Sequence, residues 1–483
     1  MKRNFSHNWA TLCLACASLL FAAVSCQKPL KELTLGFDVD GECTIRQGET
    51  LDIDFTIGEV GSSVVTVAAE SSNADFVAEA ALSETDPAKG TVHITAPQYI
   101  LAPADFTVTV TVDDAENART VTLAQNVSAV MAENFVEKSE AANSYIVAPG
   151  SFVKFPANYG VSAETVPYAS LSLLWQDCKG LVSALVAAPE TGCVYAVLAE
   201  GLSGNATVAA KDAEGKVLWS WHLWVSDYDP EAKTMTYTET ESGKSYTFMD
   251  RYLGATSSEA GSDASHGNFY QWGRKDPFPG STCEGTIKSA YDAESNDLVL
   301  DIEACAVENN IPNSIANPSL WFSGVSGGNW GWISNTRTFP ATEEVQDLWG
   351  GVSGVKSSYD PCPAGWMVPE ISAWKFYSDA NVVKTKVYTS AADPESPANK
   401  DMLGRNVEID GNTFFFPAQG EVQNGGSYGN GAGTTWPCAK AWSSTSDPEN
   451  CRAYATSVSP SSTSSKGGFS FGYGFPVRCV KQN

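Results

Sequence analysis

The chain has 483 residues, 43% of them hydrophobic, and sets 30 Lys and Arg against 56 Asp and Glu for a formal net charge of −26. A surface this acidic repels nucleic acid and anionic lipid head groups, so nucleic acid is excluded as a partner. The acidity itself suits solubility after export and names no particular cation, while the length predicts two to four domains.

Met1 to Ser25 begins with Lys2 and Arg3 and continues into an apolar stretch from about Leu12 to Val24. A charged start before a short apolar run reads as a secretory signal, too short to span a membrane as a helix. The run ends in Ala-Ala-Val-Ser-Cys, similar to a bacterial lipobox, so Cys26 is expected to be lipidated and to anchor the mature chain. Cys16 is the competing acceptor, and ordinary cleavage is the alternative. Removing Lys2 and Arg3 with residues 1–25 leaves 28 basic against 56 acidic residues. No later apolar run is long enough to cross a bilayer.

Residues 26–130 contain the runs LDIDFTI, VVTVAAE, TVHITA, FTVTVTV and RTVTLAQ, separated by Gly, Asp, Pro and Asn. Their period-two alternation predicts a β-sandwich on the scale of an immunoglobulin-like module, about seven strands in about 95 residues. Residues 131–234 predict a second β-sandwich, with a hairpin tip at Ala213 to Gly215. In its run LWSWHLWV, alternation sends Trp219, Trp221 and Leu223 to one face and Leu218, Ser220, His222 and Trp224 to the other. One face is core; the other either packs on the following domain or offers a glycan platform.

Residues 235–483 predict an α+β domain with long loops. Helices are expected in DAESNDLVLDIEACAVENN, in ATEEVQDLWGG with Glu343 and Glu344 in its first turn, and in PEISAWKFYSDA with Trp374 on the buried face. Long loops rich in Gly, Ser and Asn separate them, of a length that within a compact domain is functional or else disordered.

Nine cysteines remain once Cys13 and Cys16 leave with the signal and Cys26 is acylated. In an oxidising compartment they predict disulfides: Cys178 with Cys193, an even set of Cys283, Cys305, Cys362, Cys438, Cys451 and Cys479, and Cys43 left over. The mature chain has no CxxC spacing and only His93, His222 and His266, so neither metal nor cofactor is predicted.

The phrases DRYLGA from Asp250, YQWGRKDPFPGS from Tyr270, CPAGWMVP from Cys362 and the final VRCV from Val477 together resemble the Fibrobacter succinogenes major paralogous domain. The resemblance covers about the last half of the chain. It implies a C-type-lectin-like fold, also found in formylglycine-generating enzymes, on two sandwich modules of a Bacteroidetes-type envelope lipoprotein. It casts Asp250, Arg251, Trp272, Gly273, Arg274, Gly365, Trp366, Trp442, Arg478 and Cys479 as scaffold positions. It also implies bridges between Cys362 and Cys479 and between Cys438 and Cys451.

An enzyme is not expected. A formylglycine-generating reaction needs a metal-binding cysteine pair, and the only histidine of the last domain, His266, has Asp263 and Ser265 near it in sequence alone. A lectin-like head instead suggests binding of an extracellular glycan or protein. The candidate contacts are Trp330 and Trp332 with Asn329 and Asn335, then Tyr428; core placement of the tryptophans is the alternative. Asp447-Pro448-Glu449-Asn450 only echoes the calcium-lectin signatures, so no calcium requirement is predicted. A tip or accessory subunit of a surface fibre is the second functional expectation, its sandwiches pairing by strand addition.

Overall fold

The computed structural model describes residues 29–39, 41–324, 331–335, 342–388, 402–429, 438–447, 450, 452–459 and 463–482. The chain divides into two compact units, one ending at Ala132 and the other beginning at Glu133.

The first unit is a β-sandwich. Its strands are β1 (Thr34–Phe37), β2 (Cys43–Arg46), β3 (Thr50–Gly58), β4 (Thr66–Ser71), β5 (Val77–Leu82), β6 (Lys89–Thr95), β7 (Ala104–Asp114) and β8 (Arg119–Val130). They form two sheets, ordered β1-β3-β6-β5 and β2-β8-β7-β4. Alternation explains the packing: Ile53, Phe55 and Ile57 of β3 and Val108, Val110 and Val112 of β7 are buried between the sheets, while Asp52, Asp54 and Thr56 face water. Arg119 closes one end, pairing with buried Asp114 at 2.6 Å and donating to the carbonyls of Lys31 and Glu59.

The second unit begins with another sandwich: β9 (Phe135–Glu137), β10 (Ser144–Val147), β11 (Phe152–Pro156), β12 (Ser170–Gln176), β13 (Val182–Ala188), β14 (Cys193–Leu198), β15 (Gly204–Lys211) and β16 (Val217–Val225). One sheet runs β13-β14-β11-β9. The other runs β10-β16-β15-β12 and continues into Ala290–Tyr291 and Asp297–Leu298, short strands contributed by the C-terminal region. Trp219, Trp221 and Leu223 of β16 fill the core between the sheets. The opposite face of β16 packs on the C-terminal region. Trp224 joins that region's core; Ser220 donates to Asp276 at 2.6 Å; His222 meets Asn268, Asn205 and Ser144. Residues 133–229 and the C-terminal region therefore lie in one unit.

The C-terminal region has ladders of its own, Met402–Ile409 with Asn412–Pro417 and Ala439–Asp447 with Arg452–Val458, but the YQWGR phrase lies largely outside them and its carbonyls need other donors. Tryptophans supply them along the YQWGR phrase. Trp442 donates to the carbonyl of Tyr270 at 2.7 Å, Trp332 to that of Trp272 at 2.7 Å, and Trp349 to that of Arg274 at 3.2 Å. Buried guanidiniums act the same way: Arg274 donates to the carbonyls of Leu320 and Pro318, and Arg478 to those of Met249 and Phe415. Desolvation pulls Arg274 down to about 10, which leaves it charged at neutral pH. Asp250 and Arg251 pair at 2.8 Å; burial pushes the Asp250 carboxyl up, and Arg251 and Arg478 bring it below the ordinary value.

Cys362 and Cys479 form a disulfide beside the antiparallel pairing of Trp366–Met367 with Val480–Lys481. The expected pairing of Cys178 with Cys193 does not form. Cys178 lies in the turn leaving β12 while Cys193 starts β14 in the other sheet, and both are thiols. Cys283 and Cys305 are thiols on separate loops, and Cys438 is a buried thiol. Cys451 lies outside the described residues.

The helix expected in residues 292–310 is absent. Asp292 accepts the amide of Asn296 in a tight turn, Ser295 adopts φ +64°, and Ile302–Ala304 is a strand. A short helix follows instead at Ile311–Ala316. Glu343–Gln346 is helical and capped by Thr342, and Ile371–Tyr377 forms a 3₁₀ helix with Trp374 buried.

Candidate functional site

The aromatic surface platform expected at Trp332 is overturned. The residue is 1% exposed, its indole donates to the carbonyl of Trp272 in the turn at Trp272–Gly273, and it belongs to the core cluster that holds Trp272, Trp349 and Trp366. Asn335 uses its amide on the carbonyl of Ala306 at 2.6 Å. Tyr428 is half-buried against Phe269, with its hydroxyl on the carbonyl of Gln419 at 2.9 Å. Asn329 and Trp330 lie outside the described residues. The structure thus brings none of the described candidates together as an open binding surface.

A groove of about 490 Å³ lies elsewhere, along the seam between the second sandwich and the C-terminal region. Its walls come from three segments: Glu137 to Glu140 with Ser144 to Ile146, Tyr228 to Pro230, and Pro363, Ala364 and Trp366. Ser144, Tyr145 and Ile146 belong to β10, which ends its sheet, so among the described residues one edge of β10 has no strand beside it. Tyr228 is clamped between the Arg251 guanidinium, 3.9 Å from its ring centroid, and Trp224, so its ring is held in place. Glu137, Glu140 and Asp229 give the rim acidic oxygens, and burial pulls Lys138 below the usual lysine range. Carboxylates, an ammonium and a fixed phenol beside apolar walls can orient a polar polymer. The segments are far apart in sequence and share no period; Tyr145, Tyr228 and Trp366 at segment boundaries were the available signal.

Ser265 donates to the carbonyl of Ser262 at 2.8 Å, and Asp263 accepts the amide of Cys283, so no Ser-His-Asp arrangement forms around His266. Burial lowers His266 to about 4, and burial with neighbouring Asp263 raises the Cys283 thiol to about 11. His222 is lowered to about 3 by burial alone and is neutral. Among the described residues no group of three or more His, Cys, Asp or Glu could hold a metal ion. Asn450 donates to both oxygens of Asp447; Pro448 and Glu449 lie outside the described residues.

No helix among the described residues is long and apolar enough to cross a membrane. No family model matches the chain, and no curated protein matches it. Solved structures with local likeness include titin domains Z1Z2 in complex with telethonin, at 15% identity and TM-score 0.16, covering 40% of this chain and 95% of that one. The SrpA adhesin of Streptococcus sanguinis is 13% identical at TM-score 0.18, covering 38% and 91%. The D00-D0 domain of intimin is 14% identical at TM-score 0.17, covering 40% and 96%. At these scores the likenesses carry no argument about what the chain binds, and its sandwich architecture rests on its own strands and cores.

Proposed function

We propose that this chain is a non-enzymatic recognition protein of the cell envelope, anchored through a lipidated Cys26, whose ligand is an extracellular glycan. The seam groove is the observation that carries the reading: a volume of about 490 Å³ takes two or three sugar units, and its rim offers carboxylates and an ammonium beside apolar walls. The resemblance of the C-terminal phrases to a lectin-like paralogous domain supports the same class. Glu137 and Lys138 are rim residues whose replacement spares the core, so Glu137→Ala with Lys138→Ala is the variant to place on a glycan array. Loss of the profile supports the groove; an unchanged profile moves the site to Asn329 and Trp330, which Trp330→Ala then tests; a silent wild type refutes glycan binding.

The second reading, a subunit of a surface fibre, is favoured by the unpaired edge of β10 along this same groove. An extended peptide there would pair its backbone with Ile146 and extend the sheet. Basic peptides that bind while no glycan does would select it.

A further inference from the structure

A tight turn in which Gly285 donates to the carbonyl of Thr282 holds the exposed Cys283 thiol against His266, a side chain only 5% exposed. The sulfur lies 3.8 Å from Nε2. The other side of the ring fixes its tautomer. Nδ1 lies 3.0 Å from the carbonyl oxygen of Ser281 and 3.1 Å from its hydroxyl, and that hydroxyl already donates to the carbonyl of Gln419 at 2.6 Å. Both neighbours can only accept, so Nδ1 carries the proton and Nε2 turns its lone pair to the sulfur. A carbonyl on the far nitrogen is the arrangement that orients metal-binding imidazoles.

The spacing fits an ion held between the two atoms. With zinc–sulfur at about 2.3 Å and zinc–nitrogen at about 2.0–2.1 Å, donors 3.8 Å apart subtend about 120° at the metal, between tetrahedral and trigonal values. Asp263 takes the Cys283 amide at 2.5 Å, which fixes the thiol's turn and brings a negative charge beside it. The nearest cation, Lys288, donates to the carbonyl of His266 at 2.9 Å and is offset by Asp177 and Asp263. We propose that Cys283 Sγ and His266 Nε2 form a two-residue site for a zinc-class metal ion, with water completing the shell and the thiol proton released to solvent as the metal–sulfur bond forms. The pair was missed in the sequence because 17 residues separate its members and no metal-binding spacing links them.

Metal-free protein with the Cys362–Cys479 bridge intact and its free thiols unoxidised is titrated with Co²⁺ and then Zn²⁺. The expected result is one equivalent of Co²⁺ with a thiolate-to-cobalt charge-transfer band in the near ultraviolet, displaced by Zn²⁺. Cys283→Ser, an exposed change that leaves far-ultraviolet circular dichroism unaltered, abolishes the band and weakens Zn²⁺ at least tenfold. No binding, binding without the band, or a band that survives Cys283→Ser overturns the proposal.

Discussion

Acid destabilisation of the second unit is expected to run through His222. The imidazole is buried at the seam, bonded to Ser144 at 3.0 Å and Asn205 at 2.9 Å, and burial holds it at about 3, against about 6.5 in an unfolded chain. Between those values the unfolded chain binds the extra proton, so stability rises with pH. The contribution is complete above about pH 6.5 and is lost as pH falls toward 3. Its slope is about 1.4 kcal/mol per pH unit, so the fall from pH 6.5 to 5.0 removes about 2 kcal/mol through this residue. His222→Gln keeps a donor and an acceptor in place without a proton to take up. Urea unfolding followed by far-ultraviolet circular dichroism at pH 5.0 and 6.5 should show the wild type losing about 2 kcal/mol more than the variant. His266, and Asp177, whose carboxyl burial pushes up, are common to both proteins and cancel in the comparison. Equal losses in the two proteins would refute the assignment of His222 as a neutral seam group.

Three further outcomes follow. Trp332→Ala should cost about 3–5 kcal/mol, because it opens a cavity in the core and strips the carbonyl of Trp272 of its donor; a change under about 0.5 kcal/mol in urea unfolding would put the ring at the surface. Cys479→Ser should cost about 5 kcal/mol, since the bridge to Cys362 closes a loop with a sequence separation of 117; a midpoint equal to that of the oxidised wild type would show that the unfolded chain is already compact. Cys26→Ala should move the protein from the membrane to the soluble fraction, and retention in the membrane would rule out that cysteine as the anchor.

Alternating strands were legible because burial on one face writes itself into every second residue. LDIDFTI gave β3, and LWSWHLWV gave both faces of β16. What failed was reading exposure from neighbours. Gly and Asn around Trp332 suggested an open loop, yet the indole turns inward and donates to the carbonyl of Trp272. Residues 292–310 carry acids and leucines that suit a helix, but the side chain of Asp292 competes for the backbone and turns the chain instead. The seam groove left only Tyr145, Tyr228 and Trp366 at segment boundaries as a sequence signal, since tertiary packing assembles it from three distant segments.

The polar face of β16 explains why the sandwich of 133–229 cannot be a plain spacer. Ser220 with Asp276 and Lys275, Asn205 with the carbonyl of Gly254, and Asn143 with the carbonyls of Ser358 and Asp360 are bonds between that sandwich and the C-terminal region. Each group is buried, so separating the two halves would leave unpaired donors and acceptors as well as the bare indole of Trp224. Polar bonds of this kind fix one docking geometry, whereas an apolar face alone would tolerate sliding. The groove needs that geometry, because Tyr145 comes from one side and Trp366 from the other. The ligand capture proposed for the groove would therefore require the whole unit from Glu133 onward, while the residues up to Ala132 form the other compact unit.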